Sequence, residues 1–136
     1  SSLGASPAVY RVGESVELDV SVSADAHVFC FYQQGDGGVI KLFPNRFRPH
    51  SGVSAGETLS IPGNGSFQIK TDRVGQNEQI LCMASYEDID ARMPTQLKDV
   101  DLQPLPVESL EQIHGYYRGA AMTVPLRDTF VIEVSN

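Results

Sequence analysis

The sequence predicts a mostly β domain, a β-sandwich carrying one short helix, and three observations carry that reading. Alternation of apolar and polar residues with period two is the dominant pattern. Glycine- and proline-bearing breaks separate these runs at short spacing. One segment, over 107–117, places apolar residues three and four apart. At 136 residues, 41% of them hydrophobic, the chain has the size of one domain and enough apolar side chain for one sizeable core.

The chain begins Ser1-Ser2-Leu3-Gly4-Ala5-Ser6-Pro7, without an initiator Met and with a linker's composition. Residues 1–9 are therefore expected to be a linker or processed N-terminus, ahead of a single domain over 10–136. Val16, Leu18, Val20 and Val22 alternate with polar residues and predict a half-buried strand over 14–23. Residues 26–34 are apolar on both faces, as in a central strand covered on both sides. Gly35-Asp36-Gly37-Gly38 reads as a hairpin turn, and 39–43 as the returning strand, ended by Pro44-Asn45. Short strands are expected at 57–61 and 66–70, with Pro62-Gly63-Asn64-Gly65 between them. A further strand apolar on both faces is expected at 78–85.

From 86 to 106 the alternation gives way to a long acidic connection containing prolines. Val107, Leu110, Ile113 and Tyr117 then predict one amphipathic helix over 107–117, with Gly119 as its stop. A strand over 129–134 closes the domain.

Several blocks stand in an order that resembles a bacterial domain-of-unknown-function family. They include Val12-Gly13-Glu14-Ser15-Val16, Leu42-Phe43-Pro44-Asn45, Ala55-Gly56 and Ile61-Pro62. The Leu42-Phe43-Pro44-Asn45 block is the most specific of them, and the resemblance covers about residues 10–86. It implies an immunoglobulin-like β-sandwich attached to larger envelope lipoproteins, signalling kinases or caspase-like peptidases as a non-catalytic module. It supplies no catalytic residues. Residues 87–127, with the acidic connection and the helix, lie outside it, as does the closing strand expected within 128–135. The block also has a direct physical reading: Pro44 cannot donate to a ladder and Asn45 is suited to an Asx turn, so together they terminate a strand.

Composition excludes some classes of function. The formal charge is −7 and the pI about 4.8, which disfavours nucleic acid as a partner. No apolar run approaches a membrane-spanning length. Cys30 and Cys82 both lie in apolar strand-like runs, as buried thiols or as one disulfide of an exported protein. The disulfide is the expected state.

The chemistry-bearing patterns are sparse. Gly52-Val53-Ser54-Ala55-Gly56 matches a nucleophile elbow, with Asp88 or Asp90 and then His114 in hydrolase order. An elbow needs a strand before it and a helix after it, whereas here a loop precedes and a strand follows. No catalytic residue is expected. His27 and Cys30 point to opposite faces of one strand and do not chelate together; no metal and no cofactor are expected. The acidic stretch at 86–101 lacks the ligand spacing of a calcium loop and reads as a solvated surface. Tyr116-Tyr117 is a pair available for stacking on a sugar, but Tyr117 fits the buried stripe of the helix, and the chain has no Trp. Asn64-Gly65-Ser66 fits a glycosylation sequon, which has meaning only in a eukaryotic secretory protein.

Charge is unevenly placed. Lys41, Arg46, Arg48 and His50 surround Asn45 with no acid between residues 37 and 56, while 86–111 carry seven acids and two bases. The plain reading is a loop of solvated bases. The functional reading makes these four residues a docking surface for an acidic protein partner, because loops on rigid sandwiches carry function. The expectation is a non-enzymatic interaction or scaffold module of a larger envelope or secretion-associated protein, periplasmic or at the cell surface, in some cases within a lipoprotein. The alternative is a peptidoglycan- or saccharide-binding module.

Overall fold

Strands β5 (Ala26–Gln33) and β10 (Asn77–Ser85) pair antiparallel at the centre of the computed structural model. It describes residues 3–5, 9–11, 15–16, 18–33, 38–61, 69–70, 77–98, 100–121 and 126–135. The chain enters through β1 (Leu3–Ala5), β2 (Val9–Arg11), β3 (Ser15–Val16) and β4 (Leu18–Val22). After β5 come β6 (Val39–Phe43), β7 (Gly52–Val53), β8 (Thr58–Ile61) and β9 (Ile69–Lys70), and after β10 the long β11 (Leu126–Ser135). The larger sheet runs β2-β11-β10-β5-β6, with β7 also on β5; the smaller runs β1-β4-β8, and β3 pairs with β9. The pairings are antiparallel except β2 with β11.

Residues 3–5, expected in a linker, form β1 instead and pair with β4, Leu3 opposite Val22 and Ala5 opposite Val20. The expected strand over 14–23 appears as β3 and β4. The turns read at 35–37 and 62–65, the start of the strand read at 66–70 and the sequon lie outside the described residues.

Parity along β5 and β10 builds the protein in layers. Val28, Cys30, Tyr32, Ile80 and Cys82 face the smaller sheet, where they meet Val20, Val22, Leu59 and Ile61. Phe29, Phe31, Leu81 and Met83 face the opposite way. Both faces are buried, as the double-sided apolar pattern requires. Cys30 lies directly opposite Cys82 in the ladder, with their Cα atoms 4.1 Å apart, and the two form a disulfide. The bridge ties neighbouring strands of one sheet, whereas the disulfide of antibody domains ties one sheet to the other.

The second face is covered by residues 86–121, and here the structure departs from an open acidic connection. A 3-10 turn (Ile89–Arg92) and α1 (Thr95–Lys98) fold within it, and Ile89, Met93, Leu97 and Leu105 bury against the larger sheet. Helix α2 (Leu110–Ala120) completes the layer through Leu110, Ile113 and Tyr117. The Tyr117 ring sits 5.2 Å from that of Phe29 and 5.3 Å from that of Phe31. These contacts add about 0.5–1.5 kcal/mol each beyond area burial.

The helix starts three residues later than expected because Ser109 caps it. Its side chain accepts from Gln112 N at 3.1 Å, while Gln112 Oε1 accepts from Glu108 N at 2.7 Å. Gly119 does not stop the helix. The last turn closes at Ala121, whose extended backbone leaves the helix while its N–H still donates to Tyr117 O.

Candidate binding cleft

A cleft of about 720 Å³, lined mainly by charged and polar residues, opens where the loop after β6 meets the covering layer. The loop exists because β5 is paired along one edge by two separate strands. Strand β6 takes Cys30–Gln33 and β7 takes Ala26–His27. Residues 44–51 leave the sheet between them, starting at a cis Phe43–Pro44 peptide. Asn45, buried, holds the loop's shape: its Nδ2 donates to Leu42 O at 2.7 Å, and its Oδ1 accepts from Phe47 N at 2.8 Å and Arg48 N at 3.0 Å. This is the strand-terminating Asx geometry expected for Pro44-Asn45. The loop rejoins at Ser51, whose carbonyl accepts from Val28 N.

The opposite wall comes from the segment read as a solvated acidic connection. Leu102 N and Leu105 N donate to Lys41 O and Val39 O, fastening that segment along the outer edge of β6. Asp88, Asp90 and Asp101 thereby line the cleft, Asp90 against Lys41 of β6, Asp101 against Arg46 of the loop and Asp88 against Ser51. The cleft lining holds three cations, Lys41, Arg46 and Lys98, against these three carboxylates. The oppositely charged segments thus meet each other within the molecule rather than forming two separate patches.

This corrects the expected docking set. Lys41 is 1% exposed, so it offers no surface. Its Nζ binds Asp90 Oδ2 at 2.5 Å and Lys98 O at 3.3 Å. Arg46 is exposed, but its guanidinium turns onto the Asp101 carboxylate at 3.2 Å, and its backbone N–H also donates to that carboxylate at 2.6 Å. Arg48 stands 3.9 Å from Glu57, its guanidinium 5.9 Å from the centre of the Phe43 ring. His50 is exposed in the cleft lining. Among the described residues, His50 and the Lys98 ammonium make no ion pair.

Beneath the cleft, Tyr117 donates its hydroxyl to Asp90 Oδ1. Burial, reinforced by the Asp90 charge, pushes the Tyr117 pKa well above its ordinary value, so the hydroxyl stays protonated. Lys41, Asp90 and Tyr117 form one buried polar network joining β6, the 3-10 turn and α2. At the other end, His27 Nδ1 lies 2.7 Å from Ser51 Oγ, which is itself 3.5 Å from Asp88 Oδ1. Serine stands between histidine and aspartate, so the carboxylate does not orient the imidazole as it does in a hydrolytic triad. His27 and Cys30 do face opposite sides of β5: the histidine joins the cleft and the cysteine the core between the sheets.

A second hollow of about 430 Å³ adjoins the cleft, sharing His27 and Gly52 with it and lined further by Asp25, Ser54 and Tyr86. Ser54, the elbow candidate, sits in a turn between β7 and β8 rather than between a strand and a helix. Among the described residues, no group of three or more His, Cys, Asp or Glu side chains is placed to hold a metal ion. No described helix is long and apolar enough to cross a membrane.

The sequence offers Asp88 only as a hydrolase acid or a calcium ligand, and Tyr86 and Asp101 only as members of the acidic stretch, and it does not single out Ser51. The one available signal was the match of a basic loop with a strongly acidic segment. A family profile described as a domain of unknown function, DUF4384, matches residues 9–88, more than half of the chain. The match ends at the first residues of the covering layer, the rest of which folds onto the larger sheet from outside it. No curated protein and no solved structure matches the chain.

Proposed function

The chain belongs to the DUF4384 family of domains of unknown function, and from that premise we propose that it is a non-catalytic interaction module of a larger bacterial cell-envelope or secretion-associated protein. The proposal includes an immunoglobulin-like arrangement of the two sheets and a place in the periplasm or at the cell surface. The Cys30–Cys82 disulfide supports an oxidising compartment.

The observation that carries the reading is the loop at 44–51. It is held by the buried Asn45, yet it presents Phe47 at 51% exposure next to the exposed Arg48. A rigid loop displaying an aromatic ring and an arginine has the composition of an interface anchor and loses little entropy on docking. The contact set is therefore Phe47, Arg48 and His50 with Arg46 at its margin; Lys41 is outside it.

The test is capture of envelope proteins by the full-length protein, compared with its Phe47→Ala/Arg48→Glu variant and with Arg118→Glu as a surface control. A partner retained by the wild type and by the control, and lost by the loop variant, is the expected result. Equal capture by all three sinks the proposal.

A further inference from the structure

We infer that the cleft and the adjoining hollow form one groove for a neutral saccharide, with Tyr86 as its stacking platform. The inference goes beyond the docking reading and uses different side chains from the Phe47–Arg48 loop.

Charge decides the ligand's character first. Across the two hollows three cations oppose four carboxylates; the Lys41–Asp90 and Arg46–Asp101 pairs cancel at close range, and Asp25 accepts from Ala55 N at 2.7 Å. Such a surface has little net field with which to collect an ion. It is nevertheless dense in fixed donors and acceptors, because a paired carboxylate or guanidinium keeps hydrogen-bonding positions unused. A ligand without charge and rich in hydroxyls satisfies those positions without the desolvation cost of an ion.

The backbone argues against a peptide. Extended peptides gain affinity by adding a strand to a free sheet edge. Here that edge of β5 is taken by β6 and β7, and the outer edge of β6 by Leu102 and Leu105. The edges of β5 and β6 beside the groove are therefore closed to an added strand.

Tyr86 supplies the apolar part. It is 67% exposed, lines the second hollow and lies two residues from Asp88 of the cleft. An exposed ring beside acids, histidine and serine offers a flat face for the C–H side of a sugar and acceptors for its hydroxyls. Gly52, common to both hollows, joins them through bare backbone: a Cβ built there meets nothing within 4 Å. A large side chain at position 52 therefore blocks the groove without disturbing the packing beneath.

The test titrates the full chain with chitotriose, cellotriose and maltotriose, followed by amide chemical shifts and calorimetry, with a tetraglutamate peptide as the charged competitor. Expected is saturable binding of at least one trisaccharide, insensitive to salt, with shifts centred on His27, Gly52 and Tyr86. Tyr86→Ala weakens it by about tenfold, equivalent to ~1.4 kcal/mol. Gly52→Phe abolishes it, while Arg48→Glu and Tyr116→Ala leave it unchanged. Absence of saturable binding for all three sugars at millimolar concentration overturns the inference. So does wild-type affinity in Tyr86→Ala, or tighter, salt-sensitive binding of the peptide.

Discussion

Lys41 Nζ and the Asp90 carboxylate are 49 residues apart in the chain and 2.5 Å apart in the fold, with side chains 2% and 14% exposed. The pair fastens the covering layer to β6 below the cleft. Removing one partner leaves the other charge buried and uncompensated. Lys41→Met and Asp90→Asn are each expected to lower unfolding stability by about 3–5 kcal/mol. Lys98→Glu, on an exposed side chain, should change it by less than ~0.5 kcal/mol. Urea unfolding measures all three, and a near-neutral Lys41→Met would contradict the buried pair.

Tyr117 should make the fold sensitive to alkali. Its proton is held in the folded state by burial and by Asp90, while the unfolded chain releases it from about pH 10. Above that pH the unfolded state binds fewer protons, so stability falls as pH rises, by about 1.4 kcal/mol per pH unit for this one group. Below it the group contributes no slope. Tyr117→Phe should remove that share of the alkaline decline, and equal slopes in the two proteins would rule the assignment out.

The disulfide closes a loop with a sequence separation of 52. The chain-entropy relation assigns it about 4 kcal/mol. A Cys30→Ala/Cys82→Ala variant is expected to lose stability of that order under denaturant. A loss below ~1 kcal/mol would mean that the unfolded chain is already compact.

Asn45→Ala removes three hydrogen bonds from a buried site and should cost about 2 kcal/mol. It should also weaken any partner held by Phe47 and Arg48, because the loop loses its shape. By contrast Arg46→Glu breaks an exposed pair and should cost less than ~1 kcal/mol. Calorimetric melting of the two variants distinguishes them, and equal losses would refute this division of roles.

Ser109→Ala should lower stability by ~1 kcal/mol through loss of the cap on α2. The check is the melting temperature.

Much of the sheet was legible in the sequence, because strand formation leaves a local mark. The double-sided apolar runs at 26–34 and 78–85 became the central strands β5 and β10, and Val39–Phe43 appeared as read. The covering layer was harder to see. Ile89, Met93 and Leu97 repeat every four residues, a helical signal, but Pro94 and the surrounding acids masked it. The exposure of Lys41 was misread for a different reason. Its position opposite Phe31 puts it on the buried face of β6, and only the layer above that face decides whether the face is wet.

The sequence by itself therefore determined the β class, the two-faced central strands, the terminating turn at Asn45 and the separation of charge into a basic loop and an acidic segment. Each depends on neighbours a few positions away. Only the tertiary structure decided that those two segments neutralise each other and enclose a cleft. Burial of Ile89, Leu97, Ile113 and Tyr117 on the larger sheet brings Asp88, Asp90 and Asp101 to the loop. The apolar contacts that place them lie on a different face of the chain from the charges they bring together.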